Sequence, residues 1–187
     1  MNLDNVEIRR NLLERRVDSE AFRTTLRICG YPNIREYLES TTPMSKVTHV
    51  YPTGRATAKD SSLILDLMVK ELILAGNQAA IFGLVEVWHA LFHDTDDSRS
   101  TMALLNTVEY VGIRGFYNTQ WGDKGYVSFD QQDDLHYWMM SRLRTGCRFL
   151  IEADLPLEEI TVMWDKRLVG TLSRSVTQFP ISKAINK

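Results

Sequence analysis

The feature that most constrains this chain is a long apolar region from Leu63 to Phe92, interrupted by Asp66, Lys70, Glu71 and Glu86. Charges at that density cannot sit in hydrocarbon, so the region is protein core rather than a membrane span. The rest of the chain has to fold around it. With 187 residues and 44% hydrophobic content there is enough apolar surface to do so, as one compact domain or as small subdomains sharing an interface.

Asp60 or Ser61 is expected to cap a helix from about Ser62 to Ala75, apolar nearly all round except for an i,i+4 pair of Asp66 and Lys70, with Gly76 as its stop. The next segment, AAIFGLVEVWHALFHD, fits two descriptions. Val85, Val87, His89, Leu91 and His93 alternate with Glu86, Trp88, Ala90 and Phe92 at the period of a strand, whereas Ala79 to Gly83 suit a helix equally well.

Upstream, apolar residues recur at helical spacing between Asp4 and Val17. A second helix is expected from an Asp18-Ser19 cap to Gly30, with Pro32 beyond it, and a further turn near Ile34 to Leu38. Arg9-Arg10 and Arg15-Arg16 alternate with Glu7, Glu14, Asp18 and Glu20, which describes a solvated face better than a phosphate site. Residues 40–60 are rich in Ser, Thr, Pro and Gly and suggest an exposed linker with turns at Pro43 and Pro52-Gly54.

Downstream, Ser98 is expected to cap a helix through Met102, Leu105 and Val108 that stops at Gly112. Strands are expected at Gly125 to Phe129, Arg148 to Ala153 and Ile160 to Trp164, with a helix capped by Asp130 between the first two. Glu152 and Asp154 alternate with Ile151 and Ala153 as the solvent side of a strand. The pattern predicts an α+β fold: a helical N-terminal half packed on a mixed, mostly antiparallel sheet in the C-terminal half. The change falls near Leu91-Phe92-His93. In domain terms this is a helical segment over 1–40, a linker over 41–60 and an α+β core over 61–187.

The net charge of -2 gives no general pull toward nucleic acid or a membrane surface, so nucleic acid is not indicated as a partner. Cys29 and Cys147 are too few for a disulfide framework and fit reduced core residues in the cytoplasm; the N-terminus lacks the apolar core of a secretory leader.

Walker, Rossmann and CxxC patterns are missing. Three places remain where chemistry can sit. The first is the cluster His89, His93, Asp94, Asp96 and Asp97, whose histidines at i,i+4 share a helix face as metal ligands do, with Asp94 or Asp97 as a third. It lacks the HExxH glutamate. The second is the stretch WGDKGYVSFD, and the third the carboxylate run Glu152, Asp154, Glu158 and Glu159, which suits a surface.

LFHDT, MALLNTVEYVGI, WGDKGYVSFDQQDDLHYW and CRFLIEADLPLEEI succeed one another as strand, helix, strand, helix, strand. That succession, over residues 88–187, resembles ADP-ribosyltransferases of the poly(ADP-ribose) polymerase and diphtheria-toxin type. The resemblance implies an NAD-binding transferase that modifies a macromolecular acceptor. His93 would hold the nicotinamide ribose, Tyr126 or Ser128 would face the nicotinamide ring, and Asp94, Thr95 and Gly125 would line the cofactor site. Such chemistry needs an aromatic for the leaving ring and held ribose hydroxyls at an oxocarbenium-like state. The chain departs from the family where Asp94 replaces a glycine, where Tyr126 follows Gly125 directly, and where Gln178 stands in place of the late catalytic Glu.

Two rivals belong to other classes. ALFHDTDD resembles the His-Asp pair of HD-type metal phosphohydrolases, with His49 as the upstream ligand and Asp130, Asp133 or Asp134 as the later acid. The other rival is a non-enzymatic intracellular interaction protein, an inhibitor or assembly factor, using Arg114, Phe116, Tyr117 and Trp121 as a hot spot for a protein partner.

Overall fold

The computed structural model describes residues 6–22, 46–54, 56–117, 129–160 and 176–182, together with Gly170, Leu172 and Arg174. At the centre is a five-stranded sheet of β1 (Val47–Thr53), β2 (Ala79–Gly83), β3 (Tyr110–Tyr117), β4 (Arg148–Ala153) and β5 (Val176–Ser182), in the order β2-β3-β4-β1-β5. Each described pairing is parallel. The helices are α1 (Val6–Glu14), α2 (Ala58–Leu74), α3 (Leu84–Phe92), α4 (Asp96–Thr107), α5 (Phe129–Arg144) and the single turn α6 (Leu157–Ile160), with a 3-10 turn at Ser19–Phe22.

This is an α/β fold, which corrects the expected α+β arrangement with a mostly antiparallel sheet. The cause is physical. Parallel strands are covered on both faces, so their sequences lose the clean alternation that marks a half-exposed strand. Ala79 to Phe82 are buried without a break, and β2 runs straight into α3 because Gly83 is both its last residue and the N-cap of the helix. The two descriptions of AAIFGLVEVWHALFHD therefore resolve in the opposite sense to the alternation: Ala79 to Gly83 are strand, and Leu84 to Phe92 are helix. The helix expected from Ser98 to Gly112 ends at Thr107, and Tyr110 opens β3.

Residues expected to form an exposed connection hold β1, flanked by β4 and β5. Val47, Thr48, His49, Val50 and Tyr51 are β-branched or aromatic, a strand composition hidden between Pro43 and Pro52-Gly54. Pairing with β4 runs from Val47 to Val50, so Pro52 lies beyond that ladder and opposes only Ile181 of β5.

Two cores result. On one face Leu12, Val17, Leu65, Met68 and Leu72 pack with Val50, Ile81, Leu150 and Phe179; on the other Leu84, Val87, Leu105, Leu135 and Met139 pack with Val47, Phe82, Ile113, Phe149 and Ile151. Gly112 is what lets α2 approach β3: a Cβ there would lie 3.1 Å from Ile81 Cγ1 and 3.4 Å from Val69 Cγ2. Asp66 and Lys70 are buried in this layer. Lys70 Nζ donates to the Ala21 carbonyl at 2.9 Å, holding the 3-10 turn against α2, while Asp66 is bound to Asp18 and Arg114.

Phe116 is fully buried in the second core, which corrects its placement on an exposed partner surface. Phe116→Ala is expected to destabilise the fold by about 3–5 kcal/mol in urea titration, as for other buried aromatics. A loss under about 1 kcal/mol would put the ring at the surface.

Candidate functional site at the carboxyl end of the sheet

Open parallel sheets take ligands beyond the carboxyl ends of their strands, where neighbouring strands send their connections in opposite directions. Here β1 leads through α2 to β2, and β4 leads on to β5 beyond β1, so the crevice lies between β1 and β4. Thr53 ends β1 and Gly54 follows at φ 61, a left-handed conformation that suits glycine at the turn into α2. Thr57 is the N-cap of α2, and Asp60 Oδ2 accepts both its N–H (2.8 Å) and its hydroxyl (2.7 Å). An acidic side chain in the first turn complements the positive end of the helix dipole.

Beneath this turn, polar side chains meet in a largely buried layer. Ser61 Oγ is within donating distance of the Ala58 carbonyl (3.0 Å) and of Glu152 Oε1 (3.1 Å). Glu152 Oε2 accepts from the Gly115 N–H at 2.8 Å. Asp66 Oδ1 accepts from the Asp18 N–H at 2.9 Å and from the Arg114 guanidinium. Gly112 and Arg114, two residues apart on β3, both face α2, and so do Leu150 and Glu152 on β4. Glu152 is thus buried, not on the solvent side of its strand.

Burial pushes the carboxyls of Asp66 and Glu152 up. The Asp18 N–H and Arg114 oppose that rise at Asp66, and the Gly115 N–H and Ser61 hydroxyl oppose it at Glu152. On the other face of β1, His49 is fully buried, stacks on Tyr51 with ring centroids 5.1 Å apart, and has no hydrogen-bond partner on either ring nitrogen among the described residues. Burial lowers its pKa from 6.5 to about 4, against a smaller raising effect of Glu158.

Among the described residues singled out in the sequence, His93, Asp94 and Thr95 lie together between α3 and α4, and Gln178 stands apart from them on β5. His93 caps the C-terminus of α3 instead of ending a strand, with its ring 4.7 Å from that of His89. Asp94 is held on the surface by Arg99 at 2.7 Å, and Thr95 is the N-cap of α4, accepting from the Ser98 N–H at 3.1 Å. Gln178 lies on β5, where it contacts Glu158 and Leu157 N, with β3, β4 and β1 between its strand and β2. Gly125, Tyr126, Ser128 and Trp121 lie outside the described residues. The strand-borne His93 that an NAD pocket requires is therefore missing.

No helix among the described residues is long and apolar enough to cross a membrane. No group of three or more His, Cys, Asp or Glu among them is placed to hold a metal ion, and His49 sits on a central strand of an α/β sheet rather than in a loop of a helical fold; the HD-type reading is set aside.

No family model and no curated protein sequence matches the chain. Solved structures do. A DnaI structure matches over 92% of this chain and 94% of its own, with a TM-score of 0.59 at 12% identity. The replication initiator DnaA bound to AMPPCP and single-stranded DNA matches over 81% of this chain with a TM-score of 0.58 at 12% identity. A putative primosome component from Streptococcus pyogenes serotype M3 matches over 100% of this chain and 86% of its own, with a TM-score of 0.51 at 13% identity. The chain spans 44% of that DnaA chain's length.

At these identities the likeness is one of fold alone, shared with structures named as DnaI, a replication initiator and a putative primosome component. It corrects the resemblance to ADP-ribosyltransferases, the transferase activity and the NAD cofactor, since the ligand named among these neighbours is the ATP analogue AMPPCP. It also removes the ground for dismissing nucleic acid, since one neighbour holds single-stranded DNA. The hot spot proposed for an interaction protein gains no support, because Phe116 and Arg114 are engaged within the fold.

A phosphate-binding loop has the order strand, GxxxxGK[ST], helix. The order is met here by β1, the turn and α2, and GRATAKDS over residues 54–61 supplies the first glycine, Gly54, and the last hydroxyl, Ser61. The second glycine is Lys59 and the lysine is Asp60. A strict motif search passes over such a sequence. The spacing from Gly54 to Ser61 after a β-rich segment was the available signal.

Arg114→Met, which leaves Asp66 buried without its cation, is expected to cost toward the low end of about 3–5 kcal/mol because Arg114 is 32% exposed. Adding Asp66→Leu should recover part of the loss, and a double-mutant-cycle coupling under about 0.5 kcal/mol would mean the pair is not a unit. For His49, the unfolded chain takes up the proton first as pH falls below 6.5, so its contribution is present above that pH and is lost toward pH 4. The effect is up to about 3 kcal/mol. Asp66 and Glu152 act in the opposite sense, since their raised pKa values favour the fold as pH falls. Guanidinium titrations of wild type and His49→Leu between pH 7 and 4 isolate the histidine: the variant should lose less stability over that range, and parallel curves would contradict its neutral burial.

Proposed function

We propose that this chain acts in DNA replication, as a protein of the initiator or primosome kind, with single-stranded DNA among its partners and the cytoplasm as its location. The observation that carries the reading is the near end-to-end match with DnaI, in which one fold accounts for 92% of this chain and 94% of the other. The DnaA and Streptococcus pyogenes matches support it, because their names are those of a replication initiator and a putative primosome component. A net charge of -2 is compatible with the role if the DNA contact is local, since phosphate contacts need a cluster of cations and not a basic protein.

The test is fluorescence anisotropy of a labelled single-stranded oligonucleotide titrated with the intact chain. Saturable binding with a dissociation constant on the order of 10⁻⁴–10⁻⁶ M, weakening steadily as salt rises, is expected for contacts to the backbone. An unchanged anisotropy at high chain concentration and low salt would remove single-stranded DNA from the reading.

A further inference from the structure

The fold implies an adenine nucleotide with its metal at the turn between β1 and α2, yet the described residues there do not fit one. In a phosphate-binding loop the backbone N–H groups and the lysine grip the phosphates, while the Ser/Thr hydroxyl and an acid from a neighbouring strand hold Mg²⁺. Here Asp60 stands at the lysine position, and its carboxylate accepts the N–H and hydroxyl of Thr57 at the mouth of α2. The helix end that would attract a phosphate is already supplied with an anion. Lys59, at the second glycine, lies within the first turn of α2.

The metal side is occupied in the same manner. The Ser61 hydroxyl and the Glu152 carboxylate bond to each other at 3.1 Å, and the second Glu152 oxygen is taken by the Gly115 N–H. Burial disfavours the anionic form of Glu152 that a cation would need. Next to them Arg114, in the C-terminal half of β3, is paired with the buried Asp66.

We infer that this chain has replaced a bound nucleotide with its own side chains: Asp60 at the phosphate position, and the Ser61–Glu152 and Arg114–Asp66 pairs where metal and phosphate charge would sit. Resting on the replication reading, the consequence is that partner binding is constitutive and not gated by ATP. Arg114 and Asp66 tie β3, α2 and the Asp18 segment together, and that tie does not depend on a ligand.

Isothermal titration of the intact chain with AMPPCP and Mg²⁺, paired with melting curves, decides the point. No saturable heat and an unchanged melting temperature at millimolar nucleotide are expected; Mg²⁺-dependent saturable binding would overturn the inference. A K59G/D60K variant rebuilds the motif and should raise affinity at least about tenfold. If that variant is folded by circular dichroism and still gains nothing, the assignment of the closure to these positions falls. Should it not fold, D60N takes its place, with a smaller gain expected and no gain counting against the assignment. These arms are read on the chain alone, so they stand apart from the DNA experiment. Where DNA binding is present, its affinity should be the same with and without AMPPCP, and a change beyond about threefold would contradict constitutive binding.

Discussion

The structure depends on a constraint at β1. A strand with parallel neighbours on both edges must have every N–H and C=O matched and both faces covered, because nothing about it reaches solvent except its ends. β1 meets that demand with β4 on one edge, β5 on the other, α2 over one face and the second core, to which Val47 belongs, on the other. Placing it there fixes where α2 starts, and the start of α2 fixes where Ser61, Asp60 and Asp66 lie. The chemistry at the carboxyl end of the sheet follows from that one strand.

The buried charges then make sense together. Asp66, Lys70 and Glu152 would each be costly in a core alone, and each is tied to a different part of the chain: Asp66 to Asp18 and Arg114, Lys70 to Ala21, Glu152 to Ser61 and Gly115. In this arrangement the polar contacts orient elements while the apolar layers supply the stability. On the inference drawn above, the same side chains that organise the fold stand where a nucleotide and its metal would need free groups.

Part of this was legible in the sequence. RFLIEA carries enough apolar and β-forming residues to mark β4, and the 3.6-residue spacing of Leu135, Met139 and Leu143 marks the buried face of α5. Gly76 correctly marks the end of α2, at φ 90. What was not legible has identifiable causes. β1 was masked by flanking prolines and glycine, β2 and α3 join without a turn, and a helix with Val85, Val87, His89 and Leu91 on it imitates a strand when every second residue is counted. His93 was misplaced for that reason, and with it the nucleotide pocket built around it. The carboxylate of Glu152 looked like a surface group because a sequence does not show which buried partner awaits a charge. The departure at Lys59 and Asp60 hid the strand–turn–helix that the fold makes plain.

Native-state hydrogen exchange on β1 tests the central claim most directly, because the site exists only if Val47–Thr53 is an interior parallel strand. The backbone amides of His49 and Val50 should then exchange only through global unfolding, with a protection free energy equal to that from denaturant titration. Exchange of these amides at rates typical of an exposed connection would contradict the placement of β1, and with it the site and the functional reading built on it.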